Sequence, residues 1–149
     1  MQRRIVPDIV SDQDISFLKP DDRVSSAIDL MTDRKIGAVL IAEEGRLAGI
    51  FTERDVLHRL VKAKKDLVNT PLRDVMTADP MCVQPDAPAL AALQIMTEKG
   101  FRHLPVVTAE GEIVGIVSIR DLYGAVLSEL EEDVRQRDQL IFDTGYGVG

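Results

Sequence analysis

The sequence has little of several residue types and patterns, and each shortage excludes a class of protein. A single cysteine, Cys82, cannot form an internal disulfide, which favours a reducing compartment. No apolar run approaches the roughly 18 residues that a membrane-spanning helix needs. The N-terminus also lacks the apolar core of a secretory leader. We therefore expect a cytoplasmic protein.

Aromatic residues are scarce as well, at 4% of the 149 residues, and tryptophan is absent. Hydrophobic residues nevertheless make up 45% of the chain, which is typical of a folded globular protein. The core must therefore be built from aliphatic side chains. The length suits one compact domain or two small units that share a core.

Positive charge is in short supply, with 18 basic against 25 acidic residues and a net charge of −7. Nucleic-acid binding depends on clustered Lys and Arg, so we expect no nucleic-acid partner. A local basic pocket for a small phosphorylated ligand is still compatible with this balance. Six of the acids lie after Ser128: Glu129, Glu131, Glu132, Asp133, Asp138 and Asp143.

Catalytic and metal-binding motifs are missing. The two histidines, His58 and His103, are far apart in the sequence, and neither has the spacing of a metal-binding pair. The chain has no GxSxG, no P-loop and no Cys-His arrangement, and Ser118 has no plausible base partner. We predict that the protein is not an enzyme and has no metal site.

What the chain does contain is an internal repeat. Five residues recur 65 places later, and five more recur 66 places later, because the second copy has one extra residue in a turn. The first set is Pro20, Asp21, Ala27, Met31 and Thr32; the second is Gly45, Gly49, Ile50, Arg54 and Asp55. Ten identities across one insertion indicate a tandem duplication.

Each copy predicts the same order of elements. A short extended segment (16–18 and 81–83) leads through Pro-Asp into a helix, then a hairpin with Gly in its turn, then a second helix (53–64 and 119–130). The sequence thus predicts an α+β fold of tandem β-α-β-β-α repeats. The two copies should pack sheet to sheet about a pseudo-twofold axis, since one copy alone buries too little surface.

The first helix of each copy has one apolar face at helical spacing. Gly100 is placed to end the helix of the second copy. The predicted face residues are Val24, Ala27, Ile28 and Met31 in the first copy, and Leu90, Leu93 and Met96 in the second.

We place the first repeat at residues 7–64, a linker at 65–73, the second repeat at 74–127 and an acidic tail at 128–149. The tail begins as a helix with Leu127, Leu130 and Val134 on one stripe, and its last seven residues, DTGYGVG, are expected to be flexible. The stripe is either a solvated helix end or a contact with a second copy or a partner.

The repeated tetrads Thr52-x-x-Asp55 and Ser118-x-x-Asp121 allow two interpretations. The hydroxyl and the acid three places later could cap a helix start. Alternatively, the carboxylate could accept two hydrogen bonds from the 2′ and 3′ hydroxyls of a ribose, with the cap hydroxyl and free amides facing sugar or phosphate oxygens. The two interpretations are compatible.

The doubled, ordered motifs resemble a known family. The Met-Thr lead-in, "ALQIM", "RHLPVV" and "GIVSIRD" resemble the cystathionine-β-synthase (CBS) domain, and the tandem pair resembles a Bateman module. The resemblance covers about residues 7–127. The first copy departs from the pattern at "IGAVLIA", which lacks the proline and the preceding basic pair.

The resemblance implies two clefts between the copies that bind an adenosine-bearing ligand: AMP, ADP, ATP, S-adenosylmethionine or a dinucleotide, with Mg²⁺ as a further candidate. It also implies regulation of a partner protein and assembly into a homodimer. For phosphate, it points to Arg102 and His103, which precede the "LPVV" segment, with Arg54 and Arg120 as further candidates. Because the first copy has Gly37 and Ala38 instead of a basic pair, the two clefts should be unequal.

By family position, adenine would be held mainly through the backbone by the short first strand of the opposite copy. The candidates are Ser11, Asp12, Phe17, Thr77 and Cys82. Phe17 and Cys82 could instead be ordinary core residues. Two functions stay open at this point: a sensor of adenosine nucleotides, and a dimeric interaction scaffold that needs no ligand.

Overall fold

The computed structural model describes residues 2–141, so the prediction for the last seven residues lies outside the described residues. Within these residues there are six strands and four main helices. The strands are β1 (Phe17–Leu18), β2 (Ala38–Glu43), β3 (Arg46–Thr52), β4 (Thr77–Ala78), β5 (His103–Val107) and β6 (Ile113–Ser118). The helices are α1 (Val24–Arg34), α2 (Glu53–Asp55, continued by wider π-type turns over Val56–Val61), α3 (Ala89–Lys99) and α4 (Ile119–Ile141).

The first repeat is built on a four-stranded sheet in the order β1-β2-β3-β4. β1 runs parallel to β2, and the β2–β3 hairpin and the β3–β4 pair are antiparallel. The predicted hairpin is confirmed, and Gly45 supplies the positive φ of 77° in its turn. The fourth strand comes from the lead-in of the second repeat, so the sheet already joins the two copies.

The second repeat has a smaller sheet, the antiparallel pair β5–β6. The predicted extended segment at 81–83 is not a strand, because it makes a single parallel bridge, Val83 to Val106. On the other edge, the Gln13 side chain takes the place of a strand. Its Oε1 accepts a hydrogen bond from Ile116 N (2.9 Å), and its Nε2 donates to Ile116 O (3.3 Å).

Two of the helix boundaries differ from the prediction. α2 and its continuation end at Val61 rather than near Lys64, because every side chain from 61 to 69 is exposed and further turns would bury nothing. α4 runs past Leu130 to Ile141, well beyond the second repeat. α3 ends as predicted, with Gly100 at a left-handed φ of 74°.

The buried face of α3 is rotated by about one residue from the prediction. Leu90 is 44% exposed, whereas its neighbour Ala89 is completely buried. The small side chains of Ala89 and Ala92 let α3 approach its neighbours closely, and this sets the face toward the core. The buried positions still follow helical spacing: Ala89, Ala92, Leu93 and Met96.

The cores of the two repeats are completed crosswise. Leu72, at the end of the linker, and Val75, at the start of the second repeat, are buried in the core of the first repeat. Ile5 and Val10, at the beginning of the chain, are buried in the core of the second repeat. Backbone hydrogen bonds fix both crossings, for example Leu72 N to Asp22 O and Ile5 N to Ala87 O.

A third apolar cluster joins the two sheets. Ala38, Leu40 and Ile50 of the first sheet are buried, and Ile113 and Ile116 of β6 pack against them. This cluster confirms the predicted sheet-to-sheet packing of an α+β fold. The seam between the copies continues outward from the cluster into two cavities.

Candidate functional site

The first cavity lies at the seam and has a volume of about 390 Å³. One wall is the end of β3 and the start of α2, with Thr52, Arg54 and Asp55. The facing wall comes from the second repeat, with Thr77, Pro80 and Met81 and the turn from α3 to β5 at 99–104. The cavity therefore combines the tetrad of one repeat with the lead-in and turn of the other.

The second cavity, of about 470 Å³, has the same construction with the roles exchanged. Ser118, Arg120 and Asp121 come from the end of β6 and the start of α4. Residues 13–16 of the first lead-in and the turn from α1 to β2 (34–38) form the facing wall. The two cavities are thus related by the same sequence offsets that define the repeat.

The first tetrad forms a complete capping box. Asp55 N donates to Thr52 Oγ1 (3.3 Å), and Thr52 N donates to Asp55 Oδ2 (2.9 Å). The other carboxylate oxygen of Asp55 lies 3.4 Å from Arg59 Nε, and the Asp55 side chain is 13% exposed. The capping interpretation is therefore correct for this tetrad, and its carboxylate already has several partners.

The second tetrad is capped more loosely. Asp121 N donates to Ser118 Oγ (3.1 Å), and Ser118 N lies 3.4 Å from Asp121 Oδ2. Asp121 is exposed and borders the second cavity. Its carboxylate is therefore more available to an incoming hydroxyl than that of Asp55.

Arg102 and His103 line both cavities, as does Gly37 on the opposite side of the seam. A Cβ placed on Gly37 would lie 3.2 Å from His103 Cε1 and from Glu53 Oε1, so the bare backbone is what allows this close approach. Burial lowers the pKa of His103, an effect that Arg102 adds to and that Glu53 and Asp121 oppose. The carbonyls of Gly37 and Arg102 anchor the starts of α2 and α4 equivalently, through Glu53 N (3.0 Å) and Ile119 N (2.8 Å).

The predicted cations Arg54 and Arg120 border the first and second cavity, respectively. Arg54 donates to the carbonyl of Gly100 (2.9 Å), which ties the start of α2 to the second repeat. Sequence reasoning missed three further cations on the cavity walls: Lys99 in the first cavity, and Arg34 and Lys35 in the second. The repeat offset of 65 relates Arg34 to Lys99, and this signal could have identified them.

The predicted adenine residues are only partly brought together. Thr77 lines the first cavity, but Ser11, Asp12, Phe17 and Cys82 line neither of the two. Phe17 (44% exposed) and Cys82 are not core residues either. The neighbouring residues take the predicted places on the cavity walls: Ile15 and Ser16 in the second cavity, and Pro80 and Met81 in the first.

Within residues 2–141, no group of three or more His, Cys, Asp or Glu side chains is placed to hold a metal ion. In the same part of the chain, none of the helices is long and apolar enough to cross a membrane.

Comparison with known proteins gives a consistent result. A family model described as CBS domain matches the chain twice, at residues 5–62 and 72–128. The CBS domain-containing protein CBSX3, mitochondrial, of Arabidopsis thaliana is 35% identical over 126 residues, which cover 81% of this chain and 61% of that protein. The chain thus spans about three fifths of that relative.

Two solved structures give the same fold. A putative signal-transduction protein with CBS domains from Burkholderia ambifaria MC40-6 is 35% identical, with a TM-score of 0.73 over 77% of this chain and 84% of that one. The CBS-pair protein CBSX2 of Arabidopsis thaliana, solved in complex with AMP, is 26% identical, with a TM-score of 0.70 over 85% of this chain and 98% of that one. With its two matched segments and its doubled fold, the chain belongs to the CBS domain family and carries a tandem pair of CBS domains.

Proposed function

We propose that this CBS pair is a regulatory module that binds an adenosine-bearing ligand at the seam between its domains and modulates a partner protein. One observation carries the proposal: each cavity sets the hydroxyl-x-x-carboxylate tetrad of one domain opposite a cation-bearing turn of the other. The AMP complex of CBSX2, a relative of the same fold, supports the choice of ligand class.

The walls suit the parts of a nucleotide. A carboxylate accepts hydrogen bonds from the cis-diol of a ribose, and Arg102 and His103 offer positive charge or N–H donors to a phosphate. Apolar side chains, such as Met81 in the first cavity and Ile15 in the second, would contact the faces of a purine. Because Asp55 is already bonded to Thr52 and close to Arg59, we place the stronger ribose site at Asp121.

The proposal predicts stabilisation by ligand. AMP, ADP, ATP or S-adenosylmethionine should raise the melting temperature of the full chain by mass action, since the ligand binds the folded state alone. The measurement is a thermal-shift titration with and without Mg²⁺, which tests whether a magnesium complex is the preferred form. A flat response to all four ligands would reject the proposed site for these ligands.

A substitution tests the ribose contact. Asp121→Ala should weaken binding by about ten- to a hundredfold, which corresponds to about 1.5–3 kcal/mol for a hydrogen-bonded charged group. Asp138→Ala on the same helix is the matched control, because Asp138 is exposed and lies outside both cavities. Calorimetric titration of AMP measures the effect, and equal affinities of the two variants would remove Asp121 from the site.

The second candidate function is a scaffold that needs no ligand. Its support is the capping box at Thr52 and Asp55, in which the carboxylate has structural partners without any nucleotide. In that case Asp121→Ala would change the melting temperature of the free chain, and neither the wild type nor the variant would respond to the ligands.

Both candidate functions include assembly into a homodimer. Leu57 and Val61 on α2 and Tyr123 and Leu127 on α4 are each more than half exposed, and the repeat offset of 66 relates the two pairs. We call these two pairs the exposed stripes on α2 and α4. Because the two stripes occupy equivalent positions in the two repeats, a second copy that covers one stripe can cover the other in the same way. A cytoplasmic location, drawn from the lone Cys82, also stays a prediction.

A further inference from the structure

The two cavities share one pair of basic residues, Arg102 and His103. Arg102 and His103 border the first cavity as part of the turn from α3 to β5, and they border the second as the near side of the seam. At the pseudo-equivalent position the first domain has Gly37, which has no side chain to offer. The seam therefore has one cation pair where full symmetry would supply two.

The packing disfavours a second basic pair from the first domain. A side chain at Gly37 would begin 3.2 Å from both His103 Cε1 and Glu53 Oε1, closer than ordinary van der Waals contact. Ala38, the equivalent of His103, is buried against the other sheet. The asymmetry between "IGAV" and "RHLPVV" is thus built into the seam.

We propose, as an extension of the proposed function and resting on it, that Arg102 and His103 form a single phosphate subsite shared by two nucleoside cavities. A phosphorylated ligand in one cavity then weakens the binding of a second phosphorylated ligand in the other. One guanidinium cannot give its paired donors to two phosphates, and two phosphates at one seam repel each other. A nucleoside without phosphate does not need Arg102, so its binding in one cavity does not weaken its binding in the other.

The cations that border only one cavity do not remove the competition. Arg54 and Lys99 border the first cavity, and Arg34, Lys35 and Arg120 border the second, so each cavity keeps some attraction for a phosphate. Burial lowers the pKa of His103, which leaves Arg102 as the permanent cation of the seam at neutral pH. Arg102 therefore sets the coupling, and the outer cations set the affinity of each cavity.

The test compares AMP with adenosine by calorimetric titration of the full chain. In Asp55→Ala and Asp121→Ala, one cavity is weakened, and the AMP affinity of the remaining cavity gives its uncoupled value. In the wild-type chain, the second AMP should bind at least about tenfold more weakly than that value, within the usual range of coupling between sites. The second adenosine should show no such loss.

Arg102→Ala is the decisive variant: the difference between AMP and adenosine in the second binding step should shrink, because the shared guanidinium is gone and only the repulsion between the two phosphates is left. Arg120→Ala is its matched control: Arg120 borders the second cavity but not the first, so the variant should weaken that cavity while the coupling persists. The comparison of AMP with adenosine in the wild-type chain needs no substitution, so it holds even if a variant folds poorly. Two AMP steps at the uncoupled affinities, or the same loss for adenosine, would overturn the shared subsite alone. No binding of AMP or adenosine, together with a flat thermal response to ADP, ATP and S-adenosylmethionine, would overturn the proposed function for these ligands as well.

Discussion

The carboxylates of the two tetrads, Asp55 and Asp121, have different surroundings. Asp55 is largely buried, completes a capping box and lies beside Arg59, which also donates to Val75 O (3.2 Å) and Met76 O (2.8 Å). Asp121 is exposed on α4 and has a looser cap. A hydroxyl ligand at Asp55 must compete with internal partners, and one at Asp121 competes mainly with water.

His103 should make stability depend on pH. Its pKa in the folded chain is lowered by burial, whereas the unfolded chain takes up the proton near the ordinary value of 6.5. Below that pH the unfolded state binds more protons, so the free energy of unfolding should fall as pH drops through this window and level off below the folded pKa. Urea denaturation of the wild type and His103→Gln between about pH 7.5 and 5.5 measures the effect.

In His103→Gln, the part of the fall in the free energy of unfolding that is due to the histidine should be absent. His58→Gln is the matched control, since His58 is the other histidine of the chain, is exposed on the continuation of α2 and lines neither cavity. A pH slope that persists unchanged in His103→Gln would show that the histidine is not responsible. Bound AMP should oppose the loss, because a phosphate favours the protonated ring.

At the residue scale, the repeat alone located much of the candidate site. Thr52, Asp55, Ser118 and Asp121 were found because the same residue types recur at one offset. Phe17 and Cys82 line neither cavity, whereas residues one or two positions before them do, and a two-residue strand has no periodicity from which its facing side can be predicted. The cations at the helix ends were missed because Lys and Arg there are also ordinary partners of the helix dipole.

At the scale of elements, the two sheets close their outer edges differently. β3 pairs with β4 through its backbone, whereas β6 is paired at Ile116 by the side chain of Gln13. Gly115 makes room for this amide, because a Cβ there would meet Gln13 Oε1. No sequence pattern predicts such a replacement, since an isolated Gln in a polar segment has no distinguishing neighbours.

Gln13→Ala should therefore destabilise the second sheet. The backbone N–H and C=O of Ile116 each lose their hydrogen bond to the Gln13 amide. The free energy of unfolding should fall by about 0.5–1.5 kcal/mol, and the exposure of the site favours the low end of this range. Gln94→Ala on the exposed face of α3 is the control. Urea denaturation is the measurement, and equal stability of the two variants would mean that water replaces the amide without loss.

At the scale of the whole molecule, the crossed cores determine how the chain unfolds. Ile5 and Leu72 are both completely buried. Ile5 lies before the first domain but is buried in the second, and Leu72 lies just before the second domain but is buried in the first. Ile5→Ala and Leu72→Ala should each lower the free energy of unfolding by about 2–5 kcal/mol, as for other buried large-to-small substitutions. Because each core includes residues from the lead-in of the other, we expect a single transition in both variants.

Leu67→Ala is the control for these two, since Leu67 is 43% exposed in the segment between the domains. Circular dichroism in urea follows the transition. Two separate transitions in Ile5→Ala, with the first domain surviving, would show that the domains fold independently.

The exposed stripes on α2 and α4 give a prediction for assembly. Leu127→Glu should shift the chain from dimer to monomer, because a charge would be buried against the second copy. Leu90→Glu is the matched control, as Leu90 is similarly exposed but lies on α3 outside both stripes. Size-exclusion chromatography with light scattering measures the mass, and a wild-type monomer would contradict the proposed assembly.

The sequence predicted the doubled architecture of the whole molecule, but not the crossing of its lead-ins. Ile5 and Leu72 lie outside the helices whose apolar spacing was used, and the domain that buries each of them depends on long-range packing.

This crossing affects how the chain responds to a protease. The segment 61–69 is exposed along its whole length and is the natural place for a nick. Each fragment would still have apolar side chains buried in the core of the other: Ile5 in the second domain and Leu72 in the first. The cleaved protein should therefore elute as one particle in native buffer. The fragments should separate only when a denaturant opens both halves.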